Sequence, residues 1–324
     1  MMRHVSDDSD ELRFEADYRD AKWAPMAFAK LIELVRQFPE NGMKIMLQDP
    51  ANVRDVLALL DADWMDLVDF SRLRLVPTTF VERDYRHVES DVVLVAPLRG
   101  GTRSRRRRLL IYILIEHQSE PDRLMPLRVL EYVVQVYKHQ TRRWSQRHRS
   151  FARVQLEPVV PVIFYTGDRR WSSPGTLSDL VALSERFGPV VPLLEPLFLN
   201  LGTMPPKTLE SQGGFFGWVL RLVQQRRARP GEFRALLRRV VRHLETMPPA
   251  ERLRWLELLS YIQALVYHER HGTERRDLAT TIEASVETDE HRQEIFAMQK
   301  TIAQEIKDEG RAEGALESRR TTLL

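Results

Sequence analysis

The sequence predicts an α/β fold built around one mixed sheet, in the order strand, strand, strand, helix, strand. Two apolar runs, Asp91–Leu98 and Leu109–Gln118, are rich in Val, Ile and Leu and are bounded by turn or charged residues, which is typical of strands buried on both faces. An amphipathic helical pattern over Leu124–Trp144 separates this pair from a third apolar run, Val159–Tyr165. Strands followed by a crossover helix and another strand indicate the α/β class.

The segments before this core predict helices and one further strand. Residues 1–14 are polar and acidic, so we expect them to be disordered. Helical patterns cover Met26–Phe38, Asn52–Leu60 and Trp64–Phe70, and the first strand of the sheet is predicted at Arg72–Val81.

The helix predicted at Leu124–Trp144 has one apolar face that is expected to pack on the sheet. This face is formed by Leu127, Leu130, Val133, Val134 and Tyr137. The opposite face carries Arg128, Gln135, Lys138, Arg142 and Arg143. These polar side chains either line a DNA groove or are ordinary solvent-facing residues, and the sequence leaves both alternatives open.

The second half of the chain changes from strand patterns to helical ones. Pro192–Leu199 is predicted as a short strand at a sheet edge, where prolines are tolerated. Three amphipathic helices follow at Phe215–Arg226, Gly231–Thr246 and Pro249–His268, separated by breaks that contain proline. We therefore predict a disordered N-terminus (1–14), an α/β domain with N-terminal helices (15–205), a helical domain (210–275) and a charged helical tail (276–324).

Polar residues lie at one end of the two central strands. A charged side chain in a buried strand is unfavourable, so its presence there calls for an explanation. In an antiparallel register in which Asp91 faces Glu116, Val93 faces Leu114 and Val95 faces Tyr112. Because side chains alternate along a strand, Glu116 and Gln118 share one face. Two carboxylates and an amide are thus expected to converge at one edge of an apolar sheet.

Two close carboxylates in apolar surroundings repel each other, and a hard cation removes that conflict. Mg²⁺ prefers oxygen ligands, so Asp91, Glu116 and the backbone carbonyl of His117 are the predicted metal ligands. Such an ion can activate water and stabilise a leaving oxygen, which indicates phosphodiester hydrolysis. The alternative is that Glu116 is the first solvated residue after its strand and Asp91 only caps the other strand.

Composition limits the other function classes. The 324 residues contain no cysteine and 43% hydrophobic residues, so we expect a substantial core, no disulfide and no thiolate metal site. No run approaches the ~18 apolar residues of a membrane helix, and a cytoplasmic location is expected. The chain lacks HExxH, Walker and GxSxG motifs, which argues against zinc proteases, NTPases and α/β hydrolases.

Net charge is only +3, from 49 basic and 46 acidic residues, so the distribution of charge matters more than the total. Five arginines lie in the connection between the two central strands, namely Arg103, Arg105, Arg106, Arg107 and Arg108. They are candidates to bind the backbone of double-stranded DNA. A solvated loop is the alternative, because charge runs usually face water.

Four sequence blocks resemble a known family. They are Leu75–Val81, Val88–Leu94, Leu114–Arg128 and Pro158–Gly167, and the resemblance as a whole covers about residues 70–200. The most specific is Ile-Glu-His-Gln-Ser followed by Pro-Asp-Arg-Leu-Met-Pro. This pattern resembles the PD-(D/E)XK nuclease superfamily and, within it, the recombination-promoting, YhgA-like transposase-related nucleases.

The resemblance implies a restriction-endonuclease-like core and a Mg²⁺-dependent DNA endonuclease, with Mn²⁺ or Ca²⁺ as substitutes in vitro. It implies Asp91 and Glu116 as the acids and Gln118 where the superfamily usually has lysine. It also implies a link to recombination or mobile elements. The first helix diverges from the family pattern, and Glu33 is the candidate ligand there.

Two rival hypotheses remain. A DNA-binding regulatory protein would keep the fold without cutting DNA, and a helical interaction protein would assemble through its C-terminal half without DNA affinity. The charged tail is an exposed helix, a homodimer contact or a tether.

Overall fold

The computed structural model describes residues 32–34, 38, 41–60, 62–76, 92–99, 110–146, 150–301 and 304, with the backbone alone described at 110–114 and 116. The chain divides into two compact units. One unit is residues 43–224, and the other combines the described residues up to 42 with those from 225 onward. The domain limits drawn from the sequence stay a prediction.

A five-stranded mixed sheet forms the centre of residues 43–224. Its strands lie in sequence order, with β1 (Arg74–Leu75), β2 (Val92–Pro97), β3 (Leu110–Gln118), β4 (Val159–Tyr165) and β5 (Leu197–Asn200). Neighbours are antiparallel from β1 to β3 and parallel from β3 to β5. The predicted α/β class and the predicted edge position of the last strand are confirmed.

The predicted register of the two central strands is also confirmed over the described residues. Val93 pairs with Leu114 and Val95 pairs with Tyr112. Residues Val92–Ala96 are at most 4% exposed, so β2 is buried on both faces. This follows from its Val-rich sequence, which lets either pleat face pack against apolar neighbours.

Within the described residues, six α-helices accompany the sheet in this unit. They are α1 (Gly42–Met46), α2 (Pro50–Leu57), α3 (Met125–Ser145), α4 (Ser184–Phe187), α5 (Pro206–Gln212) and α6 (Gly214–Gln224). The helix predicted at Trp64–Phe70 is replaced by two 3₁₀ turns, Asp63–Leu67 and Phe70–Arg72.

Helix α3 covers one face of the sheet, although with a different stripe from the predicted one. Leu127 and Val134 are 40% and 41% exposed, whereas Gln135 is buried. The face that packs on the sheet consists of Met125, Val129, Tyr132, Val133 and Val136, in contact with Val93 and Val95 of β2 and Ile163 and Tyr165 of β4. Both stripes carry apolar residues, so periodicity alone could not choose between them.

Helix α6 begins at a cap that comes from a distant part of the sequence. The buried carboxylate of Asp55, in α2, accepts the backbone N–H of Phe216 at 3.1 Å. Gly214 has φ +55°, and a Cβ there would lie 2.5 Å from this carboxylate. A glycine is therefore required by backbone conformation and by space, and the acidic cap stabilises the N-terminus of α6.

The other unit is helical. It contains α7 (Pro230–Leu244), α8 (Arg252–Glu269), α9 (Thr273–Glu283) and α10, residues 289–301. α8 is buried on nearly all sides, from Trp255 to Val266. α10 and most of α9 lie within residues 276–324, which the sequence predicts to be a charged helical tail, although α9 already begins at Thr273. The apolar residues that α9 buries are Leu278 and Ile282.

Several predictions concern parts outside the described residues. These are the disorder of residues 1–14, most of the helix Met26–Phe38, the end of the strand Arg72–Val81 and the tail beyond residue 304. Glu33 is described and is exposed. In the described part of the chain, no helix has both the length and the apolar composition to cross a membrane.

Candidate functional site

The polar end of β3 is the part of the predicted site that the structure describes best. In the backbone ladder, Glu116 pairs with Ile163 and Gln118 pairs with Tyr165. Gln118 is the last residue of β3 and is half-buried. Tyr165 packs against Trp171 at 5.0 Å between ring centroids, so an aromatic cluster lies beside Gln118 in the register.

Asp91 lies outside the described residues, immediately before β2. The described ladder ends at the pair Val92 and Ile115. Continuing it by one residue would bring position 91 opposite Glu116, as the sequence predicts. The convergence of the two acids stays a prediction that the observed register favours.

Histidine 117 lies on the opposite face of β3 and is packed as the sequence predicts. Its ring is 6% exposed, its Nε2 lies 2.7 Å from Thr166 Oγ1, and its edge meets Phe164 at 6.0 Å between centroids. Burial, and secondarily the charge of Lys44, lower the pKa of His117 to about 3. The ring is therefore neutral at physiological pH, and an acid–base role is not expected.

Two residues that sequence reasoning did not assign to the site lie in the turn after β4. The backbone N–H of Thr166 donates to the Gln118 carbonyl at 3.0 Å. At Gly167, a Cβ would lie 1.9 Å from the Ser119 carbonyl oxygen. The Tyr-Thr-Gly sequence signals a turn, but only the parallel pairing of β3 and β4 brings that turn to Gln118.

The conspicuous Pro-Asp-Arg-Leu-Met-Pro motif has a structural explanation. Asp122 accepts the N–H of Leu124 at 2.8 Å and the Arg128 Nη1 donor at 2.9 Å, at the start of α3. Pro126 occupies the first turn, where its missing N–H costs nothing. The motif therefore sets where α3 begins relative to the end of β3.

The predicted DNA-binding residues fall into two groups. Lys138 and Arg142 are exposed on α3, and Arg128 is about one third exposed while paired with Asp122. The arginines of the β2–β3 connection, Arg103, Arg105, Arg106, Arg107 and Arg108, lie outside the described residues. DNA contact by either group stays a prediction.

The environment of β3 bears on whether these residues suit a metal ion. Ile115 and Ile163, which precede and face position 116, are both 0% exposed. In apolar surroundings a carboxylate is costly unless it is paired, hydrogen-bonded or bound to a cation. Two carboxylates and a backbone carbonyl are donors that Mg²⁺ accepts. Within the described residues, no cluster of three or more His, Cys, Asp or Glu side chains could hold a metal ion.

Comparison with known proteins gives one matching family. The profile described as "Putative transposase, YhgA-like" matches residues 40–254. This range includes the whole sheet and continues into the helical unit.

Three relatives illustrate the similarity. The chain is 32% identical over 125 residues to recombination-promoting nuclease RpnA of Escherichia coli strain K12, which is 38% of this chain and 38% of that protein. It is 32% identical over 128 residues to recombination-promoting nuclease RpnD of Escherichia coli O157:H7, covering 39% and 44%. It is 30% identical over 126 residues to the inactive recombination-promoting nuclease-like protein RpnE of strain K12, covering 39% and 38%.

The matched segments span less than half the length of each of these relatives. The names of the three include both nucleases and an inactive nuclease-like protein. No solved structure matches the chain.

Proposed function

The chain belongs to the YhgA-like transposase family, and from that premise we propose that it is a Mg²⁺-dependent endonuclease that hydrolyses phosphodiester bonds of double-stranded DNA. The observation that carries the proposal is the register of β2 and β3. It directs the ladder toward a pairing of Asp91 with Glu116, beside Gln118 at the strand end. Relatives named recombination-promoting nucleases support the same reaction class.

We further propose a restriction-endonuclease-like core. The order β1, β2, β3, α3, β4 around a mixed sheet supports this assignment, because an antiparallel set is followed by a crossover helix and a parallel strand. A role in recombination or mobile-element biology is proposed from the names of the relatives. A cytoplasmic location is proposed because a chain without cysteine needs no oxidising compartment.

In this proposal Asp91, Glu116 and the His117 carbonyl hold the ion. When bound, Mg²⁺ supplies charge stabilisation at the phosphodiester and acidifies the attacking water. The Gln118 amide orients the water or donates a neutral hydrogen bond to the scissile phosphate. Because Gln118 lacks the positive charge of lysine, we expect a modest turnover rate.

Cleavage of a supercoiled plasmid with Mg²⁺ tests the proposal. We expect relaxed or linear product from the wild type, none with EDTA, and a loss of about 100-fold or more in Asp91→Ala and Glu116→Gln, since the ion contributes several kcal/mol. Asp66→Ala is the matched control, because Asp66 is an exposed aspartate in a 3₁₀ turn. Equal cutting by wild type and Asp91→Ala would contradict the assignment of the acid.

A second candidate is a DNA-binding protein on the same fold that does not cut. The observations that favour it are the relative named as inactive, which is about as similar as the named nucleases, and glutamine in place of lysine at residue 118. This candidate predicts DNA affinity without metal and no product with Mg²⁺, Mn²⁺ or Ca²⁺.

A further inference from the structure

The turn after β4 contacts three consecutive residues at the end of β3. The Thr166 hydroxyl lies 2.7 Å from His117 Nε2, and the Thr166 N–H donates to the Gln118 carbonyl at 3.0 Å. Gly167 lies against the carbonyl of Ser119. One short turn therefore contacts the side chain of His117 and the backbone carbonyls of Gln118 and Ser119.

These contacts lie at the end of the ladder between β3 and β4. The ladder between β3 and β4 ends at the pair Gln118 and Tyr165, and a strand end beyond its last pair tends to fray. Thr166, the residue after β4, adds two hydrogen bonds to β3. Its backbone N–H bonds the Gln118 carbonyl, and its hydroxyl bonds the His117 ring. The His117 ring that takes part in this second bond is buried, so its position is also restricted by packing.

The close approach of the turn to the strand end explains the glycine at residue 167. A Cβ there would lie 1.9 Å from the Ser119 carbonyl oxygen and 2.5 Å from the Tyr165 hydroxyl. The same Tyr165 hydroxyl donates to the Arg169 carbonyl at 2.6 Å, so it is already committed to closing the turn. The turn can therefore approach the strand end this closely only because residue 167 has no side chain.

We propose that Thr166 is a positioning residue, which holds His117 and Gln118 so that the backbone of residues 116–118 presents the site in one fixed geometry. The reaction that this serves is the nuclease function proposed above, and the inference rests on it. Thr166 does not touch the substrate in this proposal. It acts through the hydrogen bond to His117, on the face of β3 opposite Gln118.

The expected loss of rate on removing the Thr166 hydroxyl depends on how sensitive catalysis is to the positions of the reacting groups. A displacement of about 1 Å in a reacting group can cost about 100-fold in rate. Thr166→Val keeps the β-branched shape but removes the hydroxyl, so the backbone bond remains while the His117 bond is lost. We expect kcat for plasmid cleavage to fall about 10- to 100-fold, with KM for DNA unchanged.

Conservative and control variants separate positioning from general stability. Thr166→Ser restores the hydroxyl, so we expect it to recover most of kcat. Thr246→Val removes an equivalent hydroxyl, which donates to the His243 carbonyl at 2.7 Å in the helical unit, and should leave kcat unchanged. A Thr166→Val enzyme with wild-type kcat, or a Thr166→Ser enzyme as impaired as Thr166→Val, would overturn the proposal.

A second measurement does not depend on activity. In protein labelled with ¹⁵N-glutamine, the side-chain amide signals of Gln118 are identified by their loss in Gln118→Glu. We expect Thr166→Val to shift or broaden these signals and Thr246→Val to leave them unchanged. A wild type that cuts no DNA refutes the nuclease function, whereas unshifted Gln118 signals in Thr166→Val refute the positioning role.

Discussion

At the scale of a single residue, Gly167 shows that lack of space can require a glycine. Its Cβ position is occupied by the Ser119 carbonyl and the Tyr165 hydroxyl. Both neighbours are held, the first by the strand end and the second by its bond to the Arg169 carbonyl. A side chain at residue 167 would therefore have to displace backbone rather than a flexible group.

The Gly167→Ala variant should for this reason be destabilised, by about 1–3 kcal/mol, as is typical of overpacking. Urea unfolding followed by circular dichroism measures this change. Gly188→Ala is the matched control, because a Cβ at Gly188 meets nothing within 4 Å, and it should change the free energy of unfolding by less than about 0.5 kcal/mol. If both variants unfold at the same urea concentration as the wild type, the close approach at Gly167 is not rigid.

At the scale of elements, buried polar contacts attach α10 to the rest of the helical unit. The Nδ1 atom of His291 lies 2.9 and 2.8 Å from the two carboxylate oxygens of Glu245, at the end of α7. Trp255 of α8 donates to the same carboxylate at 3.1 Å. Farther along α10, Glu294 pairs with Arg252 of α8, and Ile295 beside it is fully buried.

The burial of Glu294 makes the stability of this unit depend on pH. Glu294 is 1% exposed, and burial raises its pKa to about 7, although Arg252 opposes this rise and the charge of Glu290 adds to it. The folded state therefore binds the proton more tightly than the unfolded state. The resulting stability is fully present below the ordinary pKa of 4.5 and is lost as pH rises toward 7.

We expect Glu294→Gln to remove this pH dependence. The unfolding free energy of the wild type relative to Glu294→Gln should fall as pH rises from about 4.5 to 7, by roughly 1.4 kcal/mol per unit of pKa difference, and then level off. Thermal unfolding at several pH values measures the difference. Glu232→Gln, at an exposed glutamate of α7, serves as the control. A wild-type-minus-variant difference that does not vary with pH would contradict the raised pKa.

At the scale of the whole molecule, the positive and negative charges nearly cancel, so attraction to DNA depends on local clusters of charge rather than on net charge. With 49 basic and 46 acidic residues, no strong long-range attraction to DNA arises from net charge. Any affinity of the proposed nuclease for DNA must then come from local clusters of basic residues, and besides α3 two such clusters can be compared. One is the arginine run of the β2–β3 connection, and the other is the exposed arginine face of α7, made of Arg238, Arg239 and Arg242.

Salt dependence distinguishes these two surfaces. Replacing Arg105, Arg106 and Arg107 by Ser should weaken binding of double-stranded DNA and reduce the slope of log affinity against log salt by up to ~3, because each phosphate contact contributes about one. The equal replacement of Arg238, Arg239 and Arg242 should change the slope little if that face only solubilises α7. Fluorescence anisotropy at several salt concentrations, in EDTA to prevent cutting, gives both slopes. A larger change of slope in the α7 variant than in the variant of the β2–β3 connection would indicate instead that the helical unit contacts DNA.

The sequence by itself determined the elements whose signals are local. The strands β2, β3 and β4 were predicted from short apolar runs bounded by turn or charged residues. The observed ladder between β2 and β3 matches the predicted register. The same reasoning placed His117 on the face opposite Gln118, as observed. The helices α7 and α8 were likewise predictable, because their boundaries are marked by proline breaks.

Only the tertiary structure decided which of two possible faces or partners is used. Helix α3 offers apolar residues on two stripes, and the sheet selected the one containing Val129 and Val136. The cap that Asp55 provides to α6 spans 161 positions, and the contact of Thr166 with His117 spans 49. Such contacts have no local pattern, because their energy arises only when separate elements pack together and exclude water from the groups that they join.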